Sequence, residues 1–304
     1  MFRASGYPDE WLAAGDDRAR LAELARSRRR LDAHGPPKVL RRRWSHAEVP
    51  IGDHSLHLLR PKAARANGHQ RLMLYLHGGG YVFGPTAIEW LTMSRVARLV
   101  GADLAVWDYP KAPESTANET LPATQEAWDE LVERYGAENI VLVGFSAGGG
   151  LALSLLLHRR GLGRPLPAGV VLCSPWLDLT LSNPAIPSLA KSDVVLSVEG
   201  LRRDGELYAG SYELEHPLVS PKFSEFHDLP PALFFAGERE ILLPDCRDAV
   251  DRIAALGGAA RLAVEPRGQH AGLLLPTPEG ASARNQIVAF MGRVFGQAAT
   301  STYN

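Results

Sequence analysis

Short, unbroken apolar runs recur along this chain, each closed by glycine, proline or polar residues. The runs at 72–76, 104–107, 140–143, 170–172, 232–235 and 261–264 are too short for buried helices and read as strands. Helical spacing appears between them, at 88–100, 123–135, 151–159, 245–256 and 285–295. Strands that are apolar on both faces and alternate with helices predict a mostly parallel sheet flanked by helices, an α/β fold. The runs at 44–49 and 55–59 alternate polar with apolar residues instead, which predicts an antiparallel hairpin at the sheet edge.

Two segments break the rhythm. Residues 1–40 form a polar, arginine-rich helical stretch, and residues near 180–215 carry Pro184, Pro187, Gly200, Gly205 and Gly210. Insertions at the carboxyl ends of parallel strands commonly cover sites. Both segments are therefore expected to form one helical cap: an N-terminal cap segment at 1–40, and a main α/β domain at 41–304 with a cap insertion near 180–215.

Composition narrows the function classes. With 33 Lys+Arg against 34 Asp+Glu, the formal net charge is −1, so no global field favours nucleic acid or an anionic membrane. Arg26, Arg28, Arg29, Arg30, Arg41, Arg42 and Arg43 cluster locally, as a solvated helix face or as a basic docking surface. No run of about eighteen apolar residues exists, so no membrane-spanning helix is expected. Residues 1–15 lack a basic segment followed by an apolar one, and Cys173 and Cys246 suggest no disulfide framework. The expectation is a cytoplasmic protein.

Two strings carry the chemistry. Gly144-Phe145-Ser146-Ala147-Gly148 follows one strand and precedes a helix, so the turn lifts the Ser146 hydroxyl out of the sheet. The helix start behind it favours negative charge and offers the Ala147 N–H as an oxyanion donor. His77-Gly78-Gly79-Gly80 follows another strand, where the Gly78 and Gly79 N–H groups could meet the same oxyanion. A phosphate-cradling loop is the rival reading, but no Gly-Lys-Ser/Thr follows. His77 reads as a brace for this loop, since no second metal ligand stands four residues on. No metal or organic cofactor is expected.

On these strings the chain resembles the hormone-sensitive-lipase family of α/β-hydrolase esterases. The likeness runs from about Tyr75 to the C-terminus. It takes in Asp108-Tyr109-Pro110-Lys111-Ala112-Pro113-Glu114, Leu121-Pro122-Ala123, Ser174-Pro175-Trp176-Leu177-Asp178-Leu179, Pro217-Leu218-Val219-Ser220-Pro221 and Leu229-Pro230-Pro231. The chain departs from the family pattern at Phe145, where Asp or Thr is frequent, and at Pro110 and Lys111.

The fold supplies its partners in the order serine, acid, histidine. His270, on the loop after the last strand, resembles the family's catalytic histidine, while His216 and His227 lie in the wrong segments. In Gly237-Glu238-Arg239-Glu240-Ile241-Leu242, Glu240 takes the place of the family's aspartate. Its carboxylate can fix the imidazole tautomer. Asp245 and Glu238 are the rival acids. Tyr81, Val82 and Phe83 are expected to shape the substrate pocket, with Trp11, Leu196, Leu201 and Tyr208 closing it or packing cap on core. Trp176 and Asp178 are expected to organise structure below the site, and Glu114 to brace a loop by accepting backbone hydrogen bonds.

The leading reading is a serine carboxylesterase that cleaves small to medium acyl esters through an acyl-enzyme. An amidase, a lactone or carbamate hydrolase, or an acyltransferase would use the same groups. A non-catalytic binder would resemble the gibberellin receptors, which have lost the catalytic histidine that His270 matches. The expected partner is a small-molecule ester, and the resemblance allows a homodimer.

Overall fold

A strand buried on both faces can satisfy its N–H and C=O groups only by pairing with its neighbours. Five of the six apolar runs pair on both sides, while the run at 261–264, expected to be buried on both faces, is half-buried at the sheet edge and pairs on one side. The computed structural model describes residues 17–63 and 71–296. In chain order these give α1 (Asp17–Leu31), β1 (Trp44–Ile51), β2 (His54–Pro61), β3 (Leu72–Leu76), α2 (Ala87–Leu99), β4 (Asp103–Trp107) and α3 (Ala117–Tyr135). There follow β5 (Ile140–Phe145), α4 (Ala147–Gly161), β6 (Gly169–Cys173), the short α5 (Ile186–Leu189) and α6 (Val198–Ala209). The last elements are β7 (Ala232–Gly237), α7 (Leu243–Ala255), β8 (Ala260–Glu265) and α8 (Pro278–Val294).

The sheet has eight strands in the order β1-β2-β4-β3-β5-β6-β7-β8. From β3 to β8 every pairing is parallel. The predicted hairpin forms the antiparallel edge, with β2 also antiparallel to β4. This is the α/β-hydrolase arrangement of a mostly parallel sheet with helices on both sides.

Period-two alternation divides the core. Leu72, Leu74 and Leu76 of β3 face one layer with Trp128 of α3 and Leu151 of α4. Met73 and Tyr75 face the other, with Trp90 of α2 and Ile287 of α8. Each fully buried leucine contributes roughly 1.5–3 kcal/mol relative to exposure.

Helix starts are where the apolar pattern misleads. α3 begins at Ala117, six residues before the predicted 123, because Glu119 Oε2 accepts from the Thr116 N–H at 2.8 Å and its hydroxyl at 2.7 Å. Pro122 is carried inside this helix. α4 begins at Ala147 rather than 151, because its first turn contains glycines that add nothing to the apolar pattern.

Predicted residue Trp11 and the rest of 1–16 lie outside the described residues. The arginine-rich reading needs one correction. Arg28 is not on a solvated face: its guanidinium donates to Val82 O at 2.6 Å, to Ala112 O and to Glu114 Oε1 at 2.7 Å. Glu114 thus receives a guanidinium from α1. The other six arginines of the cluster are exposed. Beyond α1, the Ala33 N–H donates to Pro85 O at 2.8 Å, stitching the segment to the loop ahead of α2.

Candidate active site

Ser146 is the single residue between β5 and α4, and its backbone is left-handed at φ 54°, ψ −120°. Such a conformation in a residue with a Cβ costs of order 1–3 kcal/mol and persists only where its surroundings impose it. Here the Ser146 N–H donates to Cys173 O at 2.9 Å, and Ser146 O accepts from Trp176 N at 3.0 Å. The turn closes tightly enough that a Cβ on Gly148 would stand 2.2 Å from Leu76 O. The helix start behind the serine therefore presses directly on the end of β3.

The loop after β8 returns His270 to this turn. Its Nδ1 lies 2.8 Å from Glu240 Oε2, and Glu240 Oε1 accepts the Gly237 N–H at 2.9 Å. Glu240 is wholly buried, so each carboxylate oxygen has a donor where water cannot supply one. With Nδ1–H committed to the carboxylate, Nε2 keeps the lone pair. The Phe145 ring stacks on the imidazole with centroids 5.1 Å apart.

The rival acids are engaged elsewhere. Asp245 Oδ1 meets Lys222 Nζ at 2.8 Å and Asn183 Nδ2 at 2.9 Å, and burial pushes its carboxyl up despite the lysine. Glu238 Oε2 accepts from the Arg267 N–H at 2.7 Å. His227 is exposed beside Asp228, and His216 Nδ1 accepts from the Leu218 N–H at 3.2 Å.

The glycine loop corrects one expectation. The Gly78 N–H is not free for an oxyanion, because it donates to Glu89 Oε1 at 3.0 Å. Gly79 and Gly80, both at positive φ, line the cavity with Ser146 instead. Gly80 was missed by the sequence reading, although it stands in the same glycine run. Glu89 was missed as well, because it lies on α2. Its Oε1 also accepts from the Tyr75 hydroxyl at 2.7 Å, while Oε2 takes the Thr86 N–H and hydroxyl, both at 2.7 Å. One buried carboxylate thus ties β3, the glycine loop and the start of α2. His77 braces from the other side, stacked on Tyr109 at 4.0 Å with its Nδ1 2.7 Å from Gly78 O.

Glu89→Gln places an amide NH2 against either two donors of Thr86 or the donors of Tyr75 and Gly78. We expect kcat for an ester to fall about ten- to a hundredfold with KM little changed. That is below the 10²–10³-fold cost of deleting one oxyanion donor outright. Steady-state kinetics with thermal unfolding as a control check this.

Ser146 and His270 line one cavity of about 270 Å³ with Leu31, Phe83, Ile88, Val195, Leu196 and Leu201 among its walls. Phe83 and Leu196 are thus where they were expected. Tyr81 is not, and Tyr208 takes the packing alternative rather than closing the pocket: their rings stack at 3.6 Å, both buried, and neither lines the cavity. Aromatic stacking of α6 on the glycine loop removes both rings from the cavity wall. Trp176 and Asp178 lie beneath the site, where the Trp176 indole donates to Asp178 O at 2.8 Å and Asp178 gathers Thr180, Ser182 and Lys222.

Residues 73–274 match the family described as alpha/beta hydrolase fold. The chain belongs to that α/β-hydrolase family. Among curated relatives, this α/β-hydrolase is 33% identical to an acetyl-hydrolase of Streptomyces hygroscopicus over 69% of each chain. It is also 33% identical to an esterase of Acinetobacter venetianus, over 60% of this chain and 61% of that one. A solved esterase from the bacterial hormone-sensitive lipase family superposes with a TM-score of 0.81 at 28% identity, covering 94% of this chain and 95% of that one. The likeness to the hormone-sensitive-lipase family, first visible in the motifs, therefore extends to the tertiary fold. No helix among the described residues is long and apolar enough to cross a membrane.

Proposed function

We propose that this protein is a serine carboxylesterase acting on uncharged esters with small to medium acyl groups. The observation that carries the reading is the meeting of Ser146 and a carboxylate-oriented His270 in one apolar cavity. In this mechanism His270 Nε2 takes the Ser146 proton as the hydroxyl oxygen attacks the ester carbonyl. Glu240 holds the ring in that tautomer and stabilises the imidazolium. The Ala147, Gly79 and Gly80 N–H groups receive the oxyanion, each such donor being worth about 3–4 kcal/mol in the transition state. The imidazolium then protonates the departing alkoxide, and water admitted to the same base releases the acid.

The cavity supports the choice of substrate class. Its one carboxylate, Glu89, already has four donors, which leaves no free charge to greet an ionic acyl group. At about 270 Å³ it is near the lower end of small-molecule sites, roughly 300–1,000 Å³. Leu31 of α1 and Leu196 and Leu201 of the 180–215 segment all line it, which supports reading these two segments as the cap. Buried free cysteines, Cys173 and Cys246, support the reading of a reducing, cytoplasmic setting.

A p-nitrophenyl ester series, together with labelling by a fluorophosphonate probe, tests the reading. Turnover of short and medium esters with Ser146-dependent labelling is expected, and an unlabelled, inactive protein would overturn it. Product analysis with added alcohol or amine acceptors separates hydrolysis from acyl transfer.

A further inference from the structure

Away from the cavity, the edge hairpin gathers three metal-ligating side chains. His46 and Glu48 stand two apart on β1 and so share a face, and Glu48 is registered opposite His57 on β2. His46 Nε2 lies 3.1 Å from His57 Nδ1, and Glu48 Oε1 lies 3.9 Å from that same His57 nitrogen. All three donor atoms fall within 4.8 Å of one another. An imidazole–imidazole hydrogen bond would account for the two rings. Cross-strand register sets the Glu48 carboxylate beside the same nitrogen, so three donor atoms gather at one place on the hairpin.

The spacing of the two rings also suits an ion. Two imidazole nitrogens held about 2.0–2.1 Å from a tetrahedral centre stand about 3.3 Å apart, close to the distance found here. The hairpin also holds the donors in place. His57 is buried, with its ring edge-on to Trp90 at 5.5 Å. The Ser55 hydroxyl donates to Glu48 Oε2 at 3.4 Å, which leaves Oε1 for the ion. His46 is half-buried and Glu48 exposed, so the fourth position opens to water. Two nitrogens and one oxygen select a borderline cation of the zinc type rather than calcium or magnesium, which favour oxygen alone.

We propose that His46, His57 and Glu48 form a binding site for a divalent zinc-type cation, completed by water, that clasps the two strands of the edge hairpin. It shares no residue with the cavity around Ser146.

The test uses the full chain without a histidine tag, stripped by a chelator and titrated with Co²⁺. The expected result is an intense tetrahedral Co²⁺ absorption that saturates at one equivalent and is displaced by Zn²⁺. His46→Gln and Glu48→Gln should each weaken Co²⁺ binding by at least about ten- to a hundredfold, the range found even for supporting residues around metal sites. His54→Gln, on the same hairpin but outside the cluster, should bind like the parent. His57 is a core residue, so the substitutions are confined to the two more accessible ligands. Ester hydrolysis by these variants reports that they are folded. A pale octahedral spectrum, or unchanged binding in His46→Gln, would overturn the proposal and leave a hydrogen-bonded histidine pair.

Discussion

Ser146→Ala is expected to lower kcat for p-nitrophenyl butyrate by about a million-fold, the scale seen when the nucleophile of such a triad is removed. At about 1.36 kcal/mol per tenfold, the barrier rises by roughly 8 kcal/mol. The loss should fall on kcat with KM little altered, because the cavity walls and oxyanion donors are untouched. Thermal stability should stay close to the parent, since alanine keeps the Cβ and the same left-handed backbone. Ser146→Gly goes further. Glycine adopts φ 54° without the Cβ penalty, so this variant should be equally inactive yet more stable by about 1 kcal/mol. Kinetics and thermal melts on the two variants separate the hydroxyl from the turn that carries it. Parent-like turnover in either would remove Ser146 from the mechanism.

Glu240→Gln should lower kcat by about ten-thousandfold, the loss seen when the acid of a serine triad becomes an amide. The geometry dictates how. The amide oxygen would keep the Gly237 N–H, now 2.9 Å from Glu240 Oε1. The NH2 would then face His270 Nδ1 and turn it into an acceptor, which moves the ring proton to Nε2 and leaves no base toward Ser146. Asp245→Asn is the matched control. Asp245 is paired with Lys222 and Asn183, so its loss should cost stability and leave kcat within a fewfold of the parent. Large kcat loss in Asp245→Asn, with little in Glu240→Gln, would reverse the assignment.

Much of this was legible in the chain itself. Unbroken apolar runs become parallel strands because their buried backbones demand partners, on both sides for all but the last run at the sheet edge. Glycines at 144 and 148 announce a crowded strand-to-helix turn, since neither position leaves room for a Cβ. The order of Ser146, Glu240 and His270 is what the resemblance to the family implies, and each stands on a loop that follows a parallel strand. Helix starts were less legible, because the hydrogen bonds at Thr116 and the glycines of α4 leave little trace in an apolar pattern.

Tertiary structure decided what depends on partners distant in sequence. Gly78, Gly79 and Gly80 are equivalent on paper, and only the arrival of Glu89 from α2 removes the Gly78 N–H from the cavity. Arg28 reads as a solvated charge until folding sets it beside Val82 and Ala112. Tyr81 looks like a pocket wall, and Tyr208 like a pocket wall or a packing residue, until their rings find each other. Periodicity records which face of an element is buried. Which donor is consumed, and by whom, is fixed only when separate elements pack together and every buried polar group must find its partner.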